Sequence, residues 1–551
     1  MPAMALAAGL VLATPGSAAA AVPAGAGPAA DPVAAAAVGA AAGASEARPP
    51  VPPFDIDAYE VKGATLLTAG EIETAVYPFL GPGRSEADVE QARGAIEALY
   101  QQKGYQTVLV TVPTQDPGAG VIRIDVNEVK VGRLRVRGSR YHSLEQIKAE
   151  APSLAEGRVP NFNQAEKDLA TLNQLPDRRV TPVLRAGATP GTVDVDLVVE
   201  DSLPLHASVE VNNRKSQDTE PLRVVSDIRY DNLWQLGHSV SFSYQVAPQR
   251  PSDAQVWAGS YLARVPAVPE LSFLVFGYRS KSDVATLGAT DVIGDGRAVG
   301  GRVIWSLPGA ADFFHSVSGG VDWKDFDEVI AVGSGETEAP ITYYPFTVAY
   351  SAVARGETSV TQAGANVVFN FRGLGSDEET FDNKRFEASD SFIYLRTNAS
   401  RSEDLPHDLV LFGRFEGQVA SGALVNNEQI AAGGQDTVRG FLEALALGDY
   451  GFVGAVELRS PSLAPWVGKL GGGQAVDEWR FHVFVDGAVL GLFDALPEQE
   501  NRFDLASIGI GTRIKLFKAL TGAVEFALPL VSGGVSLDDT QWVQFRVVGE
   551  L

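Results

Sequence analysis

Residues 431–441 read AAGGQDTVRGF, with Gly433, Gly434 and Gly440 crowded around one arginine, Arg439, and an aromatic, Phe441. Glycine at that density lets a backbone take tight, positive-φ turns and pass close to other backbone. A hairpin tip of this kind can fold into a confined space and present a single cation. A confined guanidinium requires a carboxylate, because an unpaired buried charge is very costly. The run FHVFVDGAVL at 481–490 supplies one, since Asp486 sits mid-way along an apolar strand pattern and is followed by Gly487. Arg439 and Asp486 are therefore expected as partners inside a barrel. Alone, the first stretch would read as a solvated loop and the Asp-Gly pair as a hairpin turn; the rest of the chain decides between these readings.

The chain has 551 residues, with 44 basic and 68 acidic side chains and a net charge of −24. That balance argues against a nucleic-acid partner, which needs a basic surface to neutralise phosphate. There is no cysteine, which excludes disulfides, thiolate metal sites and thiol nucleophiles. The six histidines show no paired metal spacing, so neither metal nor cofactor is expected, and no GxSxG or GxxxxGK[ST] motif suggests catalysis or nucleotide binding. No enzymatic activity is expected. The start, MPAMALAAGLVLATPGSAAAA, reads as a signal peptide over 1–21, with its basic n-region expected upstream of Met1. Residues 22–53 are an Ala/Pro-rich linker. No stretch offers the roughly 20 apolar residues of a transmembrane helix.

From Phe54 to Glu128 the pattern is β-α-α-β-β. Thr68 with Glu71, and Ser85 with Asp88, have the spacing of capping boxes. Residues 129–201 repeat the order, so the chain holds an internal duplication of about 75 residues per unit. The pair resembles tandem polypeptide-transport-associated (POTRA) domains. This likeness implies capture of an extended client by strand addition at a free sheet edge, favoured for the first unit and balanced against a spacer role for the second.

Beyond Leu203 the helical period gives way to alternation. In LGHSVSFSYQV, Leu236, His238, Val240, Phe242, Tyr244 and Val246 share one face; Gly237, Ser239, Ser241, Ser243 and Gln245 share the other. A membrane barrel strand needs that apolar-out, polar-in division. Residues 206–551 number 346, or about 22 per strand and connection for sixteen strands, which accommodates the 9–11 residues a spanning strand takes. The final segment, TQWVQFRVVGEL, suits a closing strand, with Val543, Phe545, Val547 and Leu551 on one face and Trp542 on the other. Bacterial barrels commonly end in an aromatic, and this chain ends in Leu551.

Signal, linker, two POTRA-like units and a barrel, in that order, resemble the two-partner secretion transporters of the haemolysin secretion/activation family over residues 54–551. DTVRGF at 436–441 matches the family's VRGY/F tip (Val438, Arg439, Gly440, Phe441), carried on a loop that folds into the barrel. FVDG at 484–487 matches its inward strand motif (Phe484, Asp486, Gly487). The resemblance implies a lumenal Arg439–Asp486 salt bridge and a bacterial outer-membrane location with the N-terminal units in the periplasm. It implies three kinds of partner: a secreted exoprotein unfolded in transit, outer-membrane lipid, and the barrel-assembly machinery for insertion. Three alternatives remain open at this point: a factor that inserts other barrels, a passive porin, and a soluble β-sandwich adhesin.

Overall fold

The computed structural model describes residues 53–551 apart from 174, 282–283, 288–289, 294, 311, 333–334 and 469–474. The expected signal peptide, and the linker up to residue 52, lie outside the described residues. The chain divides between Leu203 and Pro204 into two compact units.

The N-terminal unit is built from the duplicated pattern. In the first repeat, helices Ala69–Val76 and Glu86–Gln102 pack on a sheet in which Ala58–Lys62, Val121–Asn127 and Leu109–Thr111 lie side by side. Both capping boxes form: Glu71 Oε2 accepts from Thr68 N at 3.0 Å, and Asp88 Oδ2 accepts from Ser85 N at 2.9 Å. A short ribbon, Phe54–Ile56 against Gly81–Arg84, is an element the sequence pattern did not suggest. The second repeat orders Lys130–Arg137, Thr192–Asp201 and Arg178–Ala186 in the same way under helices Leu144–Ala149 and Phe162–Leu172. Pro182 sits on the outer strand of that sheet, where its missing N–H costs no ladder bond.

The two repeats share a joint that single-strand patterns cannot reveal. Gly63 and Gly138, each with φ of 89°, follow the first strand of their sheet, and a Cβ there would lie 2.1 Å from Val126 O and 2.4 Å from Val199 O. The carboxylate ending each repeat then gathers the nearby amides. Glu128 accepts from Thr65 N, Leu66 N and Tyr100 OH at 2.7, 2.9 and 2.8 Å. Asp201 accepts from Arg140 N and Tyr141 N at 2.9 and 2.8 Å. The repeats meet at Asn161, which caps the helix Phe162–Leu172 and donates to Lys103 O at 2.9 Å.

The C-terminal unit is a closed antiparallel barrel of sixteen strands, from β1 (Leu205–Asn212) to β16 (Val543–Glu550). The count turns on β7 (Phe313–Val332), which carries both segments of β8 (Gly335–Tyr343 and Phe346–Arg355) along its length. Pro345 interrupts β8, and its carbonyl accepts from Asp322 N across the break at 3.0 Å. Alternation divides the wall as expected. On β3 (His238–Val246), Val240 and Phe242 face outward while Ser243 and Gln245 are buried inside. β16 closes on β1 from Ser208↔Glu550 to Asn212↔Arg546. Beyond that ladder the Asn213 side chain continues the pairing, accepting from Phe545 N and donating to Val543 O, both at 2.8 Å. No helix among the described residues is long and apolar enough to span a membrane; the spanning elements are strands.

An even strand number puts β1 and β16 ends at one rim, so connections after odd-numbered strands lie at the far rim. The longest of these, 421–449, joins β11 (Leu409–Ala420) to β12 (Tyr450–Arg459).

Candidate functional site

The 421–449 connection turns inward instead of standing clear of the rim. Its legs pair as a ribbon, Ile430–Ala432 against Ala446–Gly448, and its tip packs Val438 and Phe441 against Val453, Ala488, Leu490 and Leu505 of the wall. Gly440, with φ of 95°, lets the tip lie so close to β15 (Leu520–Gly533) that a Cβ would be 3.1 Å from that of Ala527. Gly434 has φ of 105°, and a Cβ there would meet the Glu443 carboxylate at 2.2 Å. The glycines noted in the sequence are thus required where backbone must pass wall or loop side chains.

The tip delivers Arg439 to a wall site on β12, β13 (Val476–Gly491) and β15, where the arginine is only 4% exposed. Its Nε and Nη2 donate to Asp486 Oδ2 and Oδ1 at 2.7 and 2.9 Å, and its own backbone N–H donates to Oδ2 at 3.1 Å. Nη1 donates to Glu457 Oε2 at 2.9 Å and, more weakly, to Glu525 Oε1 at 3.4 Å. The guanidinium lies 3.4 Å from the centre of the Phe484 ring, a cation–π stack in addition to the fork. Asp486 is therefore mid-strand, not in a turn. Gly487 alternates to the other face of β13 and takes no part; a Cβ there would have ordinary room, with Leu505 O at 3.6 Å.

Register explains how these groups meet. Glu457, Phe484 and Gly509 lie in one row across β12, β13 and β14 (Arg502–Leu516), and His482, Gly511 and Glu525 in the adjacent row. Gly509 leaves a notch for Phe484, whose Cζ would be 2.2 Å from an added Cβ; Gly511 does the same for His482. Glu457 also accepts from Arg459 Nε at 2.7 Å, and Arg513 Nη2 lies 3.3 Å from both Glu457 and Glu525. Three carboxylates thus face three guanidiniums, and His482 Nε2 lies 3.1 Å from Glu525. Glu457, His482 and Glu525 have metal-ligand spacing, but both carboxylates already serve guanidiniums, so the arrangement suits an anchored cation on a polypeptide.

Sequence reasoning found Arg439 and Asp486 but not Glu457 and Glu525. The same signal marked them: Glu457 lies between Val456 and Leu458, and Glu525 between Val524 and Phe526, all outward and exposed. Arg214 also escaped notice. It follows β1 and pairs with Glu443 at 3.0 Å and Asp436 at 2.5 Å, giving the tip a second ionic contact.

The family profile described as haemolysin secretion/activation protein ShlB/FhaC/HecB matches residues 191–513, more than half of the chain. The chain belongs to that family. It is an outer-membrane transporter of the two-partner secretion type, and its far rim is the extracellular one. A second profile, the ShlB-type POTRA domain, matches residues 54–128. The outer membrane transporter CdiB of Dickeya dadantii (strain 3937) is 22% identical over 404 residues, covering 70% of this chain and 67% of that protein. Among solved structures, CdiB from Escherichia coli superposes with a TM-score of 0.65 at 19% identity, covering 92% of each chain. BamA from Haemophilus ducreyi lacking POTRA domains 1–3 gives 0.53 at 14% identity, covering 90% of this chain and all of that one. At those identities the likeness is one of fold.

In the periplasmic unit one buried titratable pair stands out. Burial, and then the nearby Arg178 charge, hold the His142 imidazole below its ordinary value. Burial opposes ionisation of its neighbour Asp201, but the backbone N–H groups of Tyr141 and Arg140 outweigh it and keep that carboxyl below the usual range.

Proposed function

We propose that this transporter exports an unfolded partner exoprotein from the periplasm to the cell surface and that the 421–449 loop controls the pore. The observation that carries the reading is the seat of Arg439. A guanidinium held inside a barrel by carboxylates from three strands anchors a loop that occupies space a passing chain needs. In this reading the Arg439–Asp486 contact is the element that a client must displace. Client capture falls to the N-terminal repeats, with Leu109–Thr111, an outer strand of the first sheet, offering an edge for strand addition, whereas Lys130–Arg137 of the second is already partly covered by Gly157 and Arg158 at Val131. The outward apolar band meets outer-membrane lipid, and insertion falls to the barrel-assembly machinery.

The deciding experiment measures a candidate partner in the medium of cells carrying this protein, its Arg439→Ala variant or neither. Export that needs the protein and drops in the variant, at equal barrel levels, supports the reading. Export indifferent to both changes would overturn that client assignment and favour an insertion or porin role.

A further inference from the structure

Away from the lumenal tip, the two legs of the same loop end in carboxylates that are more deeply buried than any exposed extracellular segment requires. Asp449, at the end of the second leg, is 0% exposed. It receives both arms of Arg385 at 2.8 Å, Leu424 N at 3.0 Å, Gln429 Nε2 at 2.9 Å and Phe493 N at 2.7 Å. Arg385 also donates to Leu424 O at 2.7 Å and Phe493 O at 2.9 Å. One ion pair thereby clips three extracellular connections together. Arg385 is itself fixed, because it follows the helix Glu378–Lys384, whose Phe381 is buried among Tyr343 and Phe392.

Glu428, in the first leg, is 1% exposed and is held by Lys324 Nζ, Tyr343 OH and Tyr394 OH at 2.5, 2.6 and 2.7 Å. Gln418 of β11 donates to both Glu428 O and Asp449 O, at 3.1 and 3.2 Å, tying the legs to each other. None of these groups touches the Arg439 cluster. Groups without shared partners contribute close to independently, so the base of the loop is fastened separately from the tip, which Arg439 and Arg214 hold.

Between them the backbone changes character. Gly433 and Gly434 have φ of 107° and 105°, and on the returning side Ala444 has φ of 48°. These are conformations that glycine adopts freely and alanine adopts at a cost. Positive-φ residues therefore bracket the tip on both strands, at the points where a short flap could turn about a fixed base.

We infer that residues 434–443 form a flap hinged at Gly433–Gly434 and Ala444, and that Glu428 and Asp449 are positioning residues holding the base of the loop in place when the flap leaves the lumen. The inference rests on the proposed pore-controlling role of the loop, and it specifies which part moves. The alternative is expulsion of the whole 421–449 segment.

The chain has no cysteine, so single introduced thiols report alone. Val438→Cys reports on the flap and Val425→Cys on the base; both positions are buried. The full-length protein in nanodiscs is treated with a membrane-impermeant maleimide. Arg439→Ala is expected to accelerate labelling at 438 at least tenfold while labelling at 425 changes less than twofold. Arg385→Gln is expected to do the reverse, and Arg385→Lys, which keeps the charge but loses the fork, to fall between. Comparable acceleration at 425 and 438 in Arg439→Ala would show that the loop leaves as one body and would overturn the inference, as would a protected 425 in Arg385→Gln. Should Arg385→Gln fail to give a heat-modifiable barrel, Glu428→Gln replaces it with the same expected result. Partner export is measured in parallel: the labelling pattern above without any change in export upholds the hinge and sinks the pore-control reading.

Discussion

Replacing Arg439 by alanine tests the lumenal anchor at its centre, and the contacts set the size of the effect. Glu457 would keep Arg459 and Arg513, and Glu525 would keep Arg513 and His482. Among the described residues Asp486 would keep the backbone N–H of residue 439 as its hydrogen-bond donor, at 3.1 Å, and the Arg414 guanidinium as a nearby charge, and is 2% exposed. The variant therefore takes the hydrogen-bonded fork away from one buried carboxylate while the other two remain paired. Breaking a buried pair in this way costs about 3–5 kcal/mol, which shifts the balance between seated and released tip by roughly two to four orders of magnitude. Asp486→Asn removes that charge, so the double variant Arg439→Ala/Asp486→Asn should be less impaired than the sum of the singles. The assay is a double-mutant cycle on channel-open probability in planar bilayers, with heat-modifiable mobility as the control for an intact barrel. A coupling of about 1.5–3 kcal/mol is expected for groups in direct contact. If the two substitutions combine additively to within about 0.5 kcal/mol, water already screens the pair and the claim that it anchors the loop is wrong.

Three further outcomes follow from particular contacts. Arg439→Lys keeps the charge but cannot span Asp486 and Glu457 with one planar fork, so its open probability should lie between wild type and alanine. Gly509→Ala would drive a methyl to 2.2 Å from Phe484 Cζ and 2.4 Å from Phe526 O; overpacking of this kind costs about 1–3 kcal/mol, read as a lower temperature for loss of the compact gel form. Because the folded-state value of His142 is depressed, the unfolded chain binds its proton more readily; the stabilisation is fully present above about pH 6.5 and is lost as pH falls towards the folded value. Protection factors for amide exchange in the second repeat, taken against the intrinsic rate at each pH, should fall on acidification through that window, and His142→Phe should flatten the dependence; an unchanged slope would assign the effect to other groups.

The duplication, the barrel and the two ends of the central salt bridge were legible because each leaves a local mark. Capping residues and the 3.6-residue period mark the helices of the repeats, and the two-residue period separates lipid-facing Val240 and Phe242 from inward Ser243. The VRGF tip is marked by its glycines. The matched Gly63/Glu128 and Gly138/Asp201 joints were not legible, because each pairs the beginning of a repeat with its end. The short ribbon Phe54–Ile56/Gly81–Arg84 was missed for the same reason, since Gly81–Arg84 has a turn's composition and becomes a strand only against its partner.

What the sequence determined by itself is which residues alternate into the barrel and which carry charge there, since side-chain direction along a strand follows from chain geometry alone. It determined that Arg439 needs a buried anion and that Asp486 is available. Only the tertiary structure decided that Glu457 and Glu525 complete the set, that Gly509 and Gly511 make space for Phe484 and His482, and that Arg385 and Lys324 hold the loop's legs. Those contacts depend on register between strands and on how far one loop reaches into another. Both are long-range quantities, fixed when the barrel closes and its buried charges must find partners.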